Sequence, residues 1–369
     1  MGNRKGTLEN MGINPEFWAG RKVLVTGHTG FKGAWLCQWL VQMGAKVSGL
    51  SLAPEDEHCL WFALGLGQVS SHIGDIRDPA IVQSVMQAEQ PDIVLHLAAQ
   101  SLVRRSYREP AETFDTNVMG TIHVLNAVRA VKSVRAAVVI TTDKCYRNDE
   151  TGEAFAENDP MGGHDPYSAS KGAAELATSA MRDSYFTPGA AMAHPARVAS
   201  ARAGNVIGGG DWAEDRIVPD IIRGCLEGSG EVVVRSPNAI RPWQHVLEPL
   251  AGYLMLAQEL VAETKDADSG WNFGPDISQE RPVLDLTRAL IDRLQTGAVK
   301  VDPEAANLHE AGILRLNSTK ARSIGWAPVL DFERTMDFTA DWYKRHADGE
   351  TASDLCREQI NDFMRFSRD

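Results

Sequence analysis

The sequence predicts an α/β protein built on a doubly wound parallel sheet, followed by a smaller α/β C-terminal domain. Two observations carry this. Short β-branched runs alternate with amphipathic helical stretches from Arg21 onward, the rhythm that lays parallel strands between two layers of helices. The first run also ends in a glycine cluster that opens a helix, as a dinucleotide-binding unit does. In order, Lys22-Val23-Leu24-Val25-Thr26 reads as the first strand. Trp35, Leu36, Trp39, Leu40 and Met43 then share one face of a helix. Further strands are expected at 47–50, 69–73, 93–97 and 138–142, and helices at 79–90, 110–130 and 167–181. The prolines at the helix starts suit a first turn, where the missing N–H is not needed. After Asn205 the rhythm loosens. Gly208-Gly209-Gly210-Asp211 marks a loop, with helices expected at 218–225, 284–294 and 332–345 and a strand at 232–235. The expected division is a flexible tail over 1–15, a dinucleotide-binding domain over 16–205 and a mainly substrate-facing domain over 206–369. Part of the last, near 240–275, is expected to return to the first domain.

A chain of 369 residues exceeds the usual single-domain size, which agrees with two domains. The net charge of −12 disfavours broad binding to nucleic acid or to an anionic membrane, while leaving room for a local basic pocket. Cys37, Cys59, Cys145, Cys225 and Cys356 are odd in number and form no CxxC pair. They read as reduced thiols of a cytoplasmic protein, and no metal site is expected. No apolar run reaches transmembrane length, and the polar first ten residues lack a signal-peptide core. A start at Met11 stays open.

Gly27-His28-Thr29-Gly30-Phe31-Lys32-Gly33 lies between the first strand and its helix. Gly27 allows the tight turn, Gly30 lets the backbone approach a pyrophosphate, and Gly33 lets the helix sit close on the strand. The first helical N–H groups then face the phosphates. His28 and Lys32 either assist the pyrophosphate or are surface side chains. The acidic residue usual after the second strand is replaced by Ser51-Leu52. No nearby arginine waits for a 2′-phosphate, and Glu55-Asp56-Glu57 would repel one. NAD is therefore expected over NADP, although the acidic run also reads as a solvated loop.

Tyr167 and Lys171 stand one helical turn apart in Tyr167-Ser168-Ala169-Ser170-Lys171, so they share a face. A free tyrosine titrates near ~10. An adjacent ammonium and an oxidised nicotinamide would lower that value. The phenolate then removes a hydroxyl proton while the same carbon gives up a hydride.

These strings together resemble the nucleotide-sugar epimerases and dehydratases of the extended short-chain dehydrogenase family, over about residues 17–342. The GxxGxxG spacing and the YxxxK pair are the family's marks. The resemblance implies a Rossmann fold with bound NAD. It implies an adenine contact at Asp75 and Ile76, small residues under the cofactor at Leu97, Ala98 and Ala99, and a helix asparagine at Asn117. It assigns Thr142 to the substrate hydroxyl and to Tyr167. A 4,6-dehydratase also needs an acid for the departing hydroxyl and a base at C5. Asp143 is placed as the acid. Asp143-Lys144-Cys145-Tyr146 resembles the dehydratases acting on CDP-glucose, where those acting on dTDP-glucose carry Asp-Glu. Lys144 is either the base, with a pKa lowered by burial, or an ammonium paired to Asp143. Cys145 reads as a small buried residue.

At the substrate end, Arg202-Ala203-Gly204-Asn205-Val206-Ile207-Gly208 resembles the family's R-x-x-N-V-x-G string, whose asparagine contacts a diphosphate. Arg241-Pro242-Trp243-Gln244-His245-Val246 resembles its phosphate-binding arginine motif, which adds Arg241 and His245 as substrate contacts. Arg216 is either a third diphosphate ligand or an ion-paired surface residue. Gln100, Ser101 and Arg104 line a sugar pocket or pack an ordinary loop. The expected partner is a nucleotide-diphosphate sugar, with CDP-glucose favoured, and the expected assembly a homodimer. The competing readings are another nucleotide-sugar dehydratase, a C4 epimerase, which needs no leaving-group acid, and a non-catalytic NAD-binding sensor.

Overall fold

A computed structural model describes residues 12–54, 56–189, 192–228, 230–302 and 313–367. Residues 1–11 of the expected tail, and Glu55, lie outside these. Residues 12–14 are fastened. Asn14 caps the short helix α1 (Pro15–Trp18), and its backbone N–H donates to Gln258 at 3.0 Å.

The central sheet has seven parallel strands. These are β1 (Lys22–Thr26), β2 (Lys46–Ser51), β3 (Ser70–Ile73), β4 (Ile93–His96), β5 (Ala136–Ile140), β6 (Arg197–Ala203) and a late arrival, β11 (Gly270–Phe273). Their order is β11-β6-β5-β4-β1-β2-β3. Every strand lies beside its neighbour in parallel register. Most of these strands are buried along nearly their whole length, which is why they read as continuous apolar runs.

Helices cover both faces. On one lie α2 (Phe31–Gln42), α3 (Leu60–Leu64), α10 (Leu247–Val261), α13 (Phe332–Ala347) and α14 (Ala352–Phe366), around Trp35, Trp39, Tyr253 and Trp342. On the other lie α4 (Pro79–Glu89), α7 (Gly120–Ala130) and α8 (Pro166–Met181). Between α4 and α7 run the short α5 (Val103–Arg108) and α6 (Pro110–Phe114). The single helix expected over 110–130 is thus interrupted, with a wider turn at Asp115–Met119 between α6 and α7.

The remaining pieces lie outside the central sheet. They are β7 (Val206–Ile207), α9 (Ile217–Ile222), β8 (Glu231–Val234), β9 (Ile240–Arg241), β10 (Gln244–His245), β12 (Arg281–Pro282), α11 (Val283–Leu294), β13 (Ala298–Val301) and α12 (Thr319–Arg322). They pair as β7 with β10, β9 with β12 and β8 with β13. The chain recrosses to the central sheet through α10 and β11, and α14 lies on α2 and α3. The sheet order reverses between β1 and β4. Ligands of such sheets bind at that reversal, beyond the strands' C-terminal ends.

Candidate active site

The phosphate loop is shaped by contacts only glycine permits. Gly27 has φ +75°, and a Cβ there would stand 2.7 Å from the Ala98 backbone nitrogen. At Gly33 a Cβ would stand 2.0 Å from the Gly27 carbonyl oxygen. Exposed Gly30 caps α2 with no side chain, so the first-turn N–H groups at Phe31 and beyond are left for a ligand. Ser51 braces the loop through a 2.8 Å hydrogen bond with Thr29. Leu97, Ala98 and Ala99 follow β4, with Ala98 directly against Gly27. Ile76 is buried against Gly120. The Asp75 carboxylate is held by Arg77 at 2.6 Å. Burial alone would raise its pKa, but the hydrogen bonds and charge of Arg77 bring it below the usual range. These residues fit a dinucleotide: a backbone-lined cradle, a free helix N-terminus and small residues at the strand ends.

The two basic residues of the loop both turn inward. His28 is buried between Gly49, Trp61 and Ser71, and its Nε2 lies 2.7 Å from the Ser71 hydroxyl. Burial lowers its pKa to about 4. The ring is neutral, neither a phosphate ligand nor a surface group. Lys32 turns inward, its ammonium 5.9 Å from the Tyr253 ring centroid. Burial, with the charges of Arg216 and Lys171, lowers it to about 7.

The end of β5 carries the reacting groups. Thr142 and Asp143 are both buried, and the Thr142 hydroxyl donates to Asp143 Oδ1 at 2.9 Å. Asp143 Oδ2 is buried without a hydrogen-bond partner. Burial raises the Asp143 carboxyl, opposed by the charges of Lys144, Arg241 and Lys32 and by the Thr142 hydrogen bond. A raised carboxyl is shifted in the direction a general acid needs. Half-buried Lys144 follows in the same turn. Burial pushes the Cys145 thiol well up, so it is inert.

Asp165 caps α8, accepting from Ser168 N at 3.0 Å, and Pro166 fills the first turn. This cap sets Tyr167 in the first turn of α8, buried in the same site as Thr142 and Asp143. Burial holds Tyr167 up at about 12, and the charge of an oxidised nicotinamide would lower it from there. The Lys171 ammonium donates to the Ile140 carbonyl at 3.2 Å, and burial lowers it to about 8.

Three further candidates are tied into the scaffold. Asn117 is buried in the wide turn between α6 and α7. Its oxygen accepts from Gln100 N at 2.9 Å, and its amide donates to Gln100 O and Ser170 Oγ at 3.0 and 2.8 Å. Both amide protons are used, so Asn117 ties the β4 loop to α8 and has none left for a cofactor. Gln100 gives one amide proton to Thr113 and its oxygen accepts from Leu102 N, which shapes the loop. His245 is fully buried beside Trp35 and Phe338, and burial lowers it to about 3. It packs the core.

The substrate end keeps its arginines. Arg216 spans the cleft, bonded to Asp211 at 3.1 Å and to Ser101 Oγ at 3.2 Å. Arg104 pairs with Asp215 at 3.6 Å, also across the cleft. Arg241 is buried, and its charge reaches Asp143. Asn205 is half-buried where β6 ends. Arg202 instead faces away, in a 2.8 Å pair with Glu175 that also engages Tyr146 and Ser200. Asp211, Asp215 and Tyr253 were missed. A lone aspartate after Gly208-Gly209-Gly210 and a tyrosine inside an apolar helix were the signals available.

The family described as GDP-mannose 4,6 dehydratase matches residues 24–339. The chain belongs to this family. Its members are nucleotide-sugar dehydratases, which are lyases. A CDP-glucose 4,6-dehydratase of Salmonella typhimurium is 45% identical over 354 residues, 95% of this chain and 98% of the relative. A dTDP-glucose 4,6-dehydratase of Xanthomonas campestris pv. campestris is 29% identical over 349 residues, 87% of this chain and 92% of the relative. Among solved structures, a Bacillus anthracis dTDP-glucose 4,6-dehydratase in complex with NAD superposes with TM-score 0.72 at 19% identity, covering 89% of this chain and 98% of that one. A Thermotoga maritima UDP-glucose 4-epimerase with UDP-glucose gives TM-score 0.71 at 20% identity, covering 88% and 99%. These structural likenesses establish the family's Rossmann fold.

Proposed function

We propose that the protein dehydrates CDP-glucose to CDP-4-keto-6-deoxyglucose, with a tightly held NAD. The observation that carries the reading is the buried, hydrogen-bonded Asp143 beside Tyr167. The Asp-Lys string at 143–144 and the Salmonella typhimurium relative favour cytidine over thymidine. NAD, when bound, accepts the hydride from C4 and returns it at C6. Tyr167 takes the proton of the C4 hydroxyl, and Lys171 beneath it holds α8 to β5. The Asp143 acid gives its proton to the departing C6 hydroxyl. Lys144, as the neutral amine, takes the C5 proton and gives it back. Arg216, Arg241 and Asn205 hold the diphosphate, where the guanidinium fork suits paired oxygens.

A C4 epimerase has no use for a protonated acid at position 143. The test is purified protein with C4-deuterated CDP-glucose and no added acceptor. The expected product is a 4-keto sugar with deuterium at C6. Stoichiometric release of reduced nicotinamide during steady turnover overturns the reading.

We infer a cytoplasmic homodimer. No described helix is long and apolar enough to cross a membrane. Exposed Phe114, Met119 and Leu176 lie on or beside α6 and α8, an apolar face that a second copy related by a two-fold axis would cover.

A further inference from the structure

Resting on that functional reading, Asp143 must keep a fixed place relative to Tyr167, because the two act on different carbons of one sugar. The segment that carries Asp143 and Lys144 holds itself only weakly. It is a single 3₁₀ turn, Asp143–Cys145, closed by a backbone bond from Cys145 N to the Thr142 carbonyl at 3.3 Å. Turns of this kind are short and their hydrogen bonds poorly aligned.

Support comes from outside the turn, at both of its ends. Before it, Thr141 Oγ1 donates to Glu175 Oε1. After it, the Tyr146 hydroxyl accepts from Arg202 Nη1 at 2.6 Å and donates to Asn272 at 2.7 Å. Glu175 and Arg202 then meet each other. Arg202 Nη2 donates to Glu175 Oε2 at 2.8 Å, and Ser200 Oγ donates to the same oxygen at 2.7 Å. All of these side chains are buried. Glu175 lies one helical turn beyond Lys171 and two beyond Tyr167 on α8, so the face that carries Tyr167 also grips the end of β5. Arg202 lies on β6. Two residues on, a Cβ at Gly204 would stand 3.0 Å from Asp143 Oδ2, so the end of β6 backs the carboxyl. Stability alone does not account for the pair. A buried ion pair replaced by apolar side chains of similar volume is often no less stable, and Arg202 Nε is buried without a partner.

We propose that the Glu175–Arg202 ion pair is a clamp that sets the Asp143–Cys145 turn against Tyr167, by holding Thr141 at one end and Tyr146 at the other. Glu175 and Arg202 act through the turn, as positioning residues. When either end is released, Tyr167 keeps its place, since α8 remains tied to β5 by the Lys171 bond to the Ile140 carbonyl at 3.2 Å. Asp143 loses its place. Protonation of the departing C6 hydroxyl therefore suffers more than hydride removal from C4.

That imbalance supplies the test. T141V opens the first end and Y146F the second, and both leave the ion pair in place. In Y146F, Arg202 Nη1 still has the Glu157 carbonyl at 2.9 Å. Wild type, T141V, T141S and Y146F are mixed rapidly with CDP-glucose, and nicotinamide absorbance and 4-keto product are followed per bound NAD. In T141V and in Y146F, product formation is expected to fall on the order of 10²-fold, the scale of a 1 Å misplacement. Reduced nicotinamide should build up transiently in both, beyond anything seen in wild type. T141S, which keeps the hydroxyl, should restore the rate and remove the transient. A purely structural role would lower the urea midpoint and the fraction of chains holding NAD, and would leave turnover per bound NAD unchanged. That outcome overturns the clamp, as does slowing without the transient, an effect at one end only, or a T141S as slow as T141V. Y146F carries the comparison if T141V does not fold. Wild-type protein that makes no 4-keto product overturns the functional reading itself. Wild-type turnover matched by the variants overturns only the clamp.

Discussion

Asp143 and Tyr167 are buried in the same site but serve different bonds, so single substitutions separate their chemistry. Tyr167→Phe removes the acceptor for the hydroxyl proton and is expected to abolish hydride transfer. Asp143→Asn leaves that step intact, but an amide cannot protonate a departing hydroxyl. Turnover should then fall ~10²–10⁴-fold. Stopped-flow absorbance should show transient nicotinamide reduction in the Asn variant and none in the Phe variant. Wild-type dehydration by Asp143→Asn would remove Asp143 from the role of acid and weaken Lys144 as its partner base. At this scale the sequence revealed residue types in a pattern but not their surroundings. The spacing of Tyr167 and Lys171 follows from helical period. Burial of His28 beneath Gly49, or of His245 beside Trp35, depends on chain segments far apart in sequence.

Elements with strong period and punctuation were legible: β1, α2, α4 and α8 fall within a residue or two of their expected places. Among the elements left unread were β6, β11, α10 and α14. Arg197–Ala203 is rich in alanine and carries two arginines, so it lacks a β-branched signature. What makes it a strand is tertiary. Arg202 turns off the sheet into Glu175 on α8, both about 5% exposed. Burial alone would raise the Glu175 carboxyl, but Arg202, Ser200 and Thr141 bring it below its ordinary value. Arg202→Met should therefore strand a buried charge and cost about 3–5 kcal/mol, read as a lowered urea midpoint. A loss below 1 kcal/mol, on the order of an exposed pair, would show that water reaches Glu175. The outer face of α8 gives a second expectation. Leu176 is 63% exposed there. Leu176→Glu places a charge on the face proposed for dimerisation, so light scattering should report a shift from dimer to monomer at micromolar concentration. A wild-type monomer, or an unaltered dimer in the variant, would place the interface elsewhere or nowhere.

The whole molecule depends on how the last third of the chain docks on α10, and there the coupling runs through one buried carboxylate. Glu248 Oε1 accepts from Val329 N at 2.9 Å and Leu330 N at 2.6 Å, while its backbone carbonyl accepts from the Trp326 indole at 3.0 Å. The other oxygen, Oε2, is buried without a partner. Burial pushes this carboxyl from 4.5 to about 8, against the two backbone hydrogen bonds. Between those values the folded chain keeps a proton that the unfolded chain has released. Stability from this group is thus fully present below the lower value and falls as pH rises toward the upper one. Glu248→Gln keeps an oxygen for Val329 and Leu330 and carries no charge at any pH. Its amide nitrogen, placed where Oε2 was, becomes a buried unpaired donor costing about 1–3 kcal/mol, independent of pH. The variant should therefore be less stable than wild type at and below pH 4.5. The gap should close, and then reverse, as pH rises from 4.5 toward about 8, and stay constant above that. Urea midpoints measured across that range check it. Parallel pH profiles for the two proteins would mean that Glu248 is ionised and solvated in the folded state, and that the C-terminal segment is held to α10 by packing of Trp326, Leu330 and Phe332 alone.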